Sequence, residues 1–331
     1  MRIAVWYESG LGRNDGNPLY VLSFLKRVQH FCDVFEKRNQ NEKLVHYFPN
    51  GVLQDPLAES VAKTFFEKGE RLEAEHLRPN GKHIESYGKF DYHIWIDWGE
   101  DGLKGILPYD PIFPEDAPLI YWASDTHLGY DYRLNVARRS QLVFCAQKDA
   151  VERMKQDAGV EAEWLPHAFE PLAYPRFNFA SKKYDVCFVG HVNNGIRLDY
   201  LDRLFREFPN FFWGQRRFEQ ASEIYNRTKV VFNKAMIDDL NMRVFEVLGS
   251  GSFLLTDRIS TIEELFTDGK HLVCYDNFDD MVNKCRYYIE NEKERLEIAE
   301  QGYLHAKNNH TIAHRVIKML QGIEKKELAH V

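Results

Sequence analysis

The side chains with the greatest chemical capacity in this 331-residue sequence gather in one stretch, NKAMIDDLNMRVFEVLGSGSFLLTD, from Asn233 to Asp257. Asp238 and Glu246 stand eight positions apart, with a loop between Asp238 and the helix that carries Glu246, so both carboxylates can face one ligand from different elements. A carboxylate can accept hydrogen bonds from two vicinal hydroxyls, and Glu246 is placed to do so for a ribose. Its other reading is a charge near a helix N-terminus, interacting with backbone amides. Asn241 can cap the same helix and Arg243 can tie the loop or touch a phosphate. Gly249 and Gly251 end the helix and let the next strand return tightly.

In open parallel α/β sheets, ligands bind beyond the carboxyl ends of the strands, and that rule singles out four more groups. Gly190-His-Val-Asn-Asn-Gly-Ile-Arg197 combines an amide nest with a permanent forked charge that suits diphosphate oxygens, or else Arg197 is a solvated helix charge. Gly214 can admit a base or ribose against the backbone, with Arg216 and Arg217 behind it. Gly10, Gly12 and Gly16 follow the first strand and either form a plain turn or let backbone approach a substrate. Asp125 and His127, in WASDTHLGY, can point into one loop pocket, where histidine manages a proton or donates a hydrogen bond and Asp125 orients it or grips a hydroxyl. They read equally as a helix cap and its neighbour.

The elements that must position these residues alternate in type. RIAVWY, a glycine-bearing loop and the amphipathic YVLSFLKRVQHFCDVFEKR open the chain as strand, loop and helix. Strands are expected at Leu44 to Pro49, Asp91 to Trp98, Ala117 to Asp125 and Gln141 to Gln147, with a charged helical stretch from Leu53 to Leu77. Proline and polar residues break the pattern from Pro171 to Lys183. YDVCFVG then restarts it, followed by strands in NFFWG, KVVFNKA, SFLLTD and HLVCY. Helices are expected at Asn241 to Leu248, Ile259 to Phe266, Phe278 to Glu290, Glu292 to Ala306 and Thr311 to Lys326. The fold class is therefore α/β, with two parallel-sheet domains over 1–175 and 182–306 and a terminal helical segment over 307–331.

Composition removes several function classes. The 43 Lys and Arg against 50 Asp and Glu leave a net charge of −7, a poor match to a nucleic-acid backbone. No apolar run is long enough for a membrane span and the first residues read as a strand rather than a leader, so a cytoplasmic location is expected. Five scattered cysteines point to reduced, structural thiols. The chain contains neither G-x-G-x-x-G nor G-x-x-x-x-G-K-[ST], which argues against NAD dehydrogenases and P-loop NTPases. It also lacks a D-x-D element or a clustered His/Cys set for a metal. Aromatic residues are 14% of the chain, enough for cores, a sugar-stacking wall or a partner surface.

FVG with Arg197, KVVFN at Lys229 to Asn233, LNMRVFEVLGSGSFLLTD at Leu240 to Asp257 and HTIAHR at His310 to Arg315 together resemble the glycosyltransferases of group 1, within them the spore-maturation CgeB-like branch. The first half resembles them by layout and by WASDTHLG. The resemblance implies the GT-B architecture, two Rossmann-like domains facing across a cleft. The first is then the acceptor side, the second binds the nucleotide-sugar donor, and the terminal helix packs back on the first. It implies Glu246 on the donor ribose, Asp238 on the donor sugar and pyrophosphate, His127 on the transferred sugar, and Arg197 with Lys229 or Lys234 on the phosphates. Arg243 and His310 are its weaker transfers. It further implies retention of anomeric configuration, no metal and no tightly bound cofactor. Donor base, donor sugar and acceptor stay open, and so do an epimerase or hydrolase of the same architecture and a non-catalytic assembly protein.

Overall fold

The computed structural model describes residues 1–6, 16–39, 55–77, 88–96, 117–192 and 195–329. These divide into two compact units, Met1–Pro166 with Ile312–Val331, and His167–Thr311.

Unit 1 contains a six-stranded, wholly parallel sheet built from β1 (Arg2–Trp6), β2 (Glu73–Leu77), β3 (Tyr92–Ile96), β4 (Leu119–Ala123), β5 (Leu142–Cys145) and β6 (Glu161–Trp164), in the order β2-β1-β3-β4-β5-β6. Every residue of β3 and β4 is buried, as strands covered on both faces must be. The covering helices are α1 (Gly16–Asn39), α2 (Pro56–Glu67), α3 (Tyr130–Ala137) and α4 (Ala150–Ala158), joined by the C-terminal α11 (Ile312–Ala329). Local chemistry sets their ends: Asp55 caps α2 by accepting from the Ala58 amide at 3.0 Å, with Pro56 opening the helix, and Gly159 turns the chain out of α4 at φ 69°.

Two expectations need correction here. The charged stretch ending at Leu77 is helical only as far as Glu67, because EAEHL leaves the helix and pairs with β1 as an edge strand. Its carboxylates face outward, Glu73 to Arg2 and Glu75 to Lys26, as polar edge residues do. α3 was not anticipated, because its apolar residues do not fall on one face. The strand expected at Leu44 to Pro49 lies outside the described residues.

The helix α11 (Ile312–Ala329) belongs to unit 1. It buries Val316, Met319 and Ile323, and a Cβ at Gly322 would press on Leu142 at 2.8 Å and Phe144 at 3.1 Å. Its polar side is tied by Tyr92 to Glu327 (2.6 Å), Lys68 to Glu324 (2.7 Å) and Lys326 to Glu161 (2.8 Å). The Arg315 guanidinium donates to the Pro166 carbonyl at 2.7 Å. No helix among the described residues is long and apolar enough to cross a membrane.

Unit 2 contains a five-stranded parallel sheet of β7 (Tyr184–Val189), β8 (Phe211–Gly214), β9 (Thr228–Asn233), β10 (Leu254–Asp257) and β11 (Val273–Tyr275), in the order β11-β10-β9-β7-β8. Its helices are α5 (Gly195–Glu207), α6 (Phe218–Asn226), α7 (Met242–Gly249), α8 (Ile262–Leu265), α9 (Phe278–Glu290) and α10 (Glu292–Asn309). The helix expected over Ile259 to Phe266 is this single turn, α8. Val186, Phe188, Val230, Phe232, Leu255 and Tyr275 form the sheet's share of one core. α7 buries Val244, Phe245, Val247 and Leu248, about 1.5–3 kcal/mol of apolar transfer for each of the larger side chains, and this burial holds the helix that carries Glu246. All five cysteines are buried and free of disulfides.

Candidate functional site

From β7 the chain goes to β8 on one side, then returns to place β9 on the other side of β7. Helical connections leaving in opposite directions open a crevice at such a switch point, beyond the carboxyl ends of the two strands. Here those ends are Val189, with Gly190 after it, and Asn233.

Arg243 spans the crevice. Its Nε donates to the Val189 carbonyl and its Nη1 to Asn233 Oδ1, both at 2.7 Å, and its guanidinium lies 4.2 Å from the Phe188 ring centroid. Gly190 makes room for it: φ is 153° there, and a Cβ would overlap the Arg243 guanidinium. Asn241 does not cap α7 with its side chain as expected, and instead its Nδ2 donates to Asn233 Oδ1 at 3.2 Å. Asn233 is thereby the hinge pin of the site, with its carbonyl accepting from Tyr275 and its own Nδ2 donating to Thr256.

Arg197 is 7% exposed and donates to the His191 and Lys234 carbonyls at 2.8 and 2.7 Å, while its Nε finds no hydrogen-bond partner among the described residues. Burial, and then the Arg243 charge beside it, push its pKa down to about 10. Its fork is thus committed to the backbone, where it locks the loop after β7 to Lys234, and does not offer the free forked contact read from the sequence. Lys234 pairs with Asp257 at 2.8 Å, and Asp257 also accepts from the Ala235 amide. Gly214 lies beside Gly190, whose amide donates to the Gly214 carbonyl at 3.0 Å.

Glu246 is partly buried and completes the cluster. Its Oε1 accepts from the Tyr174 hydroxyl at 2.5 Å, and the buried Tyr225 lies beside it. Burial raises its pKa, while Tyr174, the Arg243 charge and Tyr225 pull the other way. Gly249, at the end of the same helix, is required by close approach, since a Cβ there would run into the Phe169 ring.

Three expected members do not join. Lys229 sits at the opposite end of β9, about 13 Å of strand before Asn233, and pairs with Asp185 at 2.7 Å. Asp238 is exposed and its Oδ1 accepts from the Ser260 amide at 2.7 Å, so it orders a neighbouring loop and shares no described hydrogen bond with Glu246. His310 is buried between the Phe245 and Phe266 rings, 3.3 Å from the His305 Nε2, a packing position. Gly10, Gly12, Asn193 and Asn194 lie outside the described residues.

In unit 1, the loop after β4 is held from within. Asp125 takes φ 46°, an uncommon region for a side chain of any size, and its carbonyl accepts from the Leu128 amide at 2.8 Å. Arg133, fully buried, donates to the carbonyls of Ser124 (2.7 Å) and Leu128, and Gln147 accepts from the Thr126 amide at 3.0 Å. These contacts present His127 to solvent and leave Asp125 partly exposed. The Tyr130 ring is covered by Arg153 at 4.0 Å and its hydroxyl donates to Asp157.

Sequence reading missed Tyr174, Tyr225, Arg133 and Gln147. Tyr174 stands 72 residues from Glu246, in the proline-bearing stretch where the strand and helix pattern breaks, and no spacing rule connects such a pair.

Residues 180–321 match the family model described as glycosyl transferase-like, a segment that holds every unit 2 residue of the cluster except Tyr174. No curated protein sequence matches the chain. Among solved structures, the Anabaena protein Alr3699/HepE in complex with UDP-glucose is similar with a TM-score of 0.58 and 14% identity, over 98% of this chain and 100% of that one. Sucrose-phosphate synthase from Thermosynechococcus elongatus is similar with a TM-score of 0.59 and 10% identity, over 99% of each chain. A glycosyltransferase from Rickettsia africae gives 0.55 and 8%, over 98% of each. The chain thus has the fold of GT-B glycosyltransferase structures, two Rossmann-like domains, with a glycosyl transferase-like segment over 180–321.

Proposed function

We propose that this chain is a glycosyltransferase that takes a sugar from a nucleotide-sugar donor, whose nucleoside diphosphate unit 2 holds at the β7/β9 crevice. One observation carries the reading: Gly190 and Arg243 meet at the point where strand order reverses, with Glu246 one turn further along the helix that carries Arg243. A backbone without a side chain, a guanidinium and a carboxylate are what a diphosphate and a ribose diol need. The glycosyl transferase-like match over the same segment supports it, as does the fold likeness to an Anabaena protein solved with UDP-glucose.

In the transfer, the bond from the anomeric carbon to the diphosphate oxygen breaks and its electron pair passes to the diphosphate. The acceptor oxygen bonds to that carbon and gives up its proton. Charge grows on the leaving group, where the fixed cations Arg243 and Arg197 and the amides near Gly190 offset it without reorganising. Lys234 contributes less, because Asp257 already balances it. Transfer with retention, in which the departing phosphate accepts the acceptor's proton, and independence of a divalent metal are finer parts of the proposal. So are a cytoplasmic location and the CgeB-like branch, which rests on Leu240 to Asp257 and His310 to Arg315. Unit 1 is assigned the acceptor, with Asp125 gripping a hydroxyl and His127 donating a hydrogen bond to the transferred sugar.

The test is donor binding by wild type and Glu246→Ala across UDP-, GDP-, dTDP- and CDP-sugars, with free nucleotide followed by mass spectrometry, with and without an acceptor extract and with EDTA. Selective binding lost in the variant, and acceptor-dependent release that survives EDTA, are expected. Release that needs no acceptor would turn the reading to a hydrolase or epimerase. Folded protein that binds no donor would remove the donor site and leave the assembly role.

A further inference from the structure

Glu246 is held by a fixed group before any ligand is considered. The Tyr174 hydroxyl donates to its Oε1 at 2.5 Å, and the Tyr225 side chain lies close by. Both tyrosines are held in place, with Tyr174 4% exposed and Tyr225 1% exposed. The Tyr174 ring meets the edge of Phe218 at 6.2 Å, and Phe218 itself sits at φ 53°, a conformation kept only where its surroundings enforce it. Phe218 opens α6, so the Tyr174 ring is packed against the start of that helix.

An ionised carboxylate offers about four acceptor directions. The Tyr174 phenol takes one of them on Oε1, and those left are enough for the 2′- and 3′-hydroxyls of a ribose. Because the carboxylate is already immobilised, a diol meets it without an ordering cost, whereas a sugar with one hydroxyl leaves an acceptor direction unpaired in a partly buried place. We propose that Tyr174 is a positioning residue that sets Glu246 to read the 2′,3′-diol, making this site selective for ribonucleoside over 2′-deoxyribonucleoside diphosphates. It rests on the reading of Glu246 as the ribose acceptor. It also narrows the donor class, since dTDP-sugars fall on the disfavoured side.

The experiment compares the Kd of UDP with that of 2′-deoxy-UDP by calorimetry for wild type, Tyr174→Phe and Glu246→Ala, with ADP, GDP and CDP and their 2′-deoxy forms as further pairs. Wild type should prefer the ribonucleotide by about tenfold or more, the value of one hydrogen bond to a charged group. Glu246→Ala should bring the ratio to about one. Tyr174→Phe, which loses one oxygen and no volume of ring, should lower the ratio several-fold through weaker ribonucleotide binding, with 2′-deoxy-UDP affinity kept within about twofold. If Tyr174→Phe weakens both nucleotides equally, or changes neither, Tyr174 is a packing residue and the inference fails while the donor site stands. If Glu246→Ala leaves the wild-type ratio unchanged, Glu246 does not read the ribose, and that reading fails with it. Wild type that binds none of the four ribonucleotides overturns both. Should Tyr174→Phe not fold, Phe218→Leu loosens the same ring contact and must lower the ratio in the same direction, and an unchanged ratio overturns the inference.

Discussion

Replacing Gly190 by alanine puts a methyl group where the Arg243 guanidinium lies, in a backbone conformation of φ 153° that side chains avoid. The backbone part costs about 1–3 kcal/mol. The overlap cannot be relieved cheaply, because the guanidinium is fixed at both ends by 2.7 Å hydrogen bonds to the Val189 carbonyl and Asn233 Oδ1. Moving it breaks at least one bond from a charged donor, about 1.5–3 kcal/mol more. Gly190→Ala should therefore lose about 2.5–6 kcal/mol of stability in urea unfolding and weaken donor binding by tenfold or more. A double-mutant cycle isolates the cause: in an Arg243→Met background the guanidinium is gone, and Gly190→Ala should cost only the backbone part. A coupling of about 1.5–3 kcal/mol is expected between the two positions. An equal cost of Gly190→Ala in both backgrounds would refute the argument that Gly190 exists to admit Arg243.

Three other outcomes follow from the same geometry. His271 is buried against His305, ring on ring at 4.1 Å, and burial, then His305 and Lys270, push its pKa down to about 4. Since the unfolded chain takes up the proton first, wild type should hold this stability above about pH 6.5 and lose roughly 3 kcal/mol between there and pH 4. His271→Gln should flatten that slope in urea titrations, and an unchanged slope would count against it. Glu246 shifts upward, so its charge burdens the fold as pH rises through and above the ordinary carboxylate range. Glu246→Gln should accordingly unfold later than wild type at pH 7 and alike at pH 4, while losing donor affinity. Deleting residues 312–331 removes Val316, Met319 and Ile323 from the unit 1 core, about 1.5–3 kcal/mol each, and should leave unit 1 open to limited proteolysis, whereas an intact, protected unit 1 would show that α11 is dispensable.

Much of the layered fold was legible because its signals are local. YHIWI and LIYWA read as strands buried on both faces, and they are. The glycines of VLGSGSF ended α7 where the next strand had to begin, and Glu246 and Arg243 lay one turn apart on one helix. EAEHL misled because its charges follow a helix in sequence while its pairing partner, β1, lies far upstream. Lys229 misled because composition does not say which end of a strand a residue occupies, and Asp238 because a spacing of eight does not fix where a loop carboxylate turns.

The sequence by itself determined the alternation of strands and helices, the helix that bears Glu246 and Arg243, and the glycine that follows the first strand of the second unit. Periodicity, turn residues and helix ends depend on neighbours within a few positions, so they are written in any short window. Which groups meet that helix depended on strand order, and no window contains it. Placing β9 beside β7 brought Asn233 to Arg243, tied Arg197 to the Lys234 carbonyl, and left Lys229 at the far edge. Tertiary packing also set the Tyr174 hydroxyl on Glu246 and the buried Arg133 inside the loop of His127. A polar group that leaves water must find its partner wherever the packed chain supplies one, and only the folded chain decides where that is.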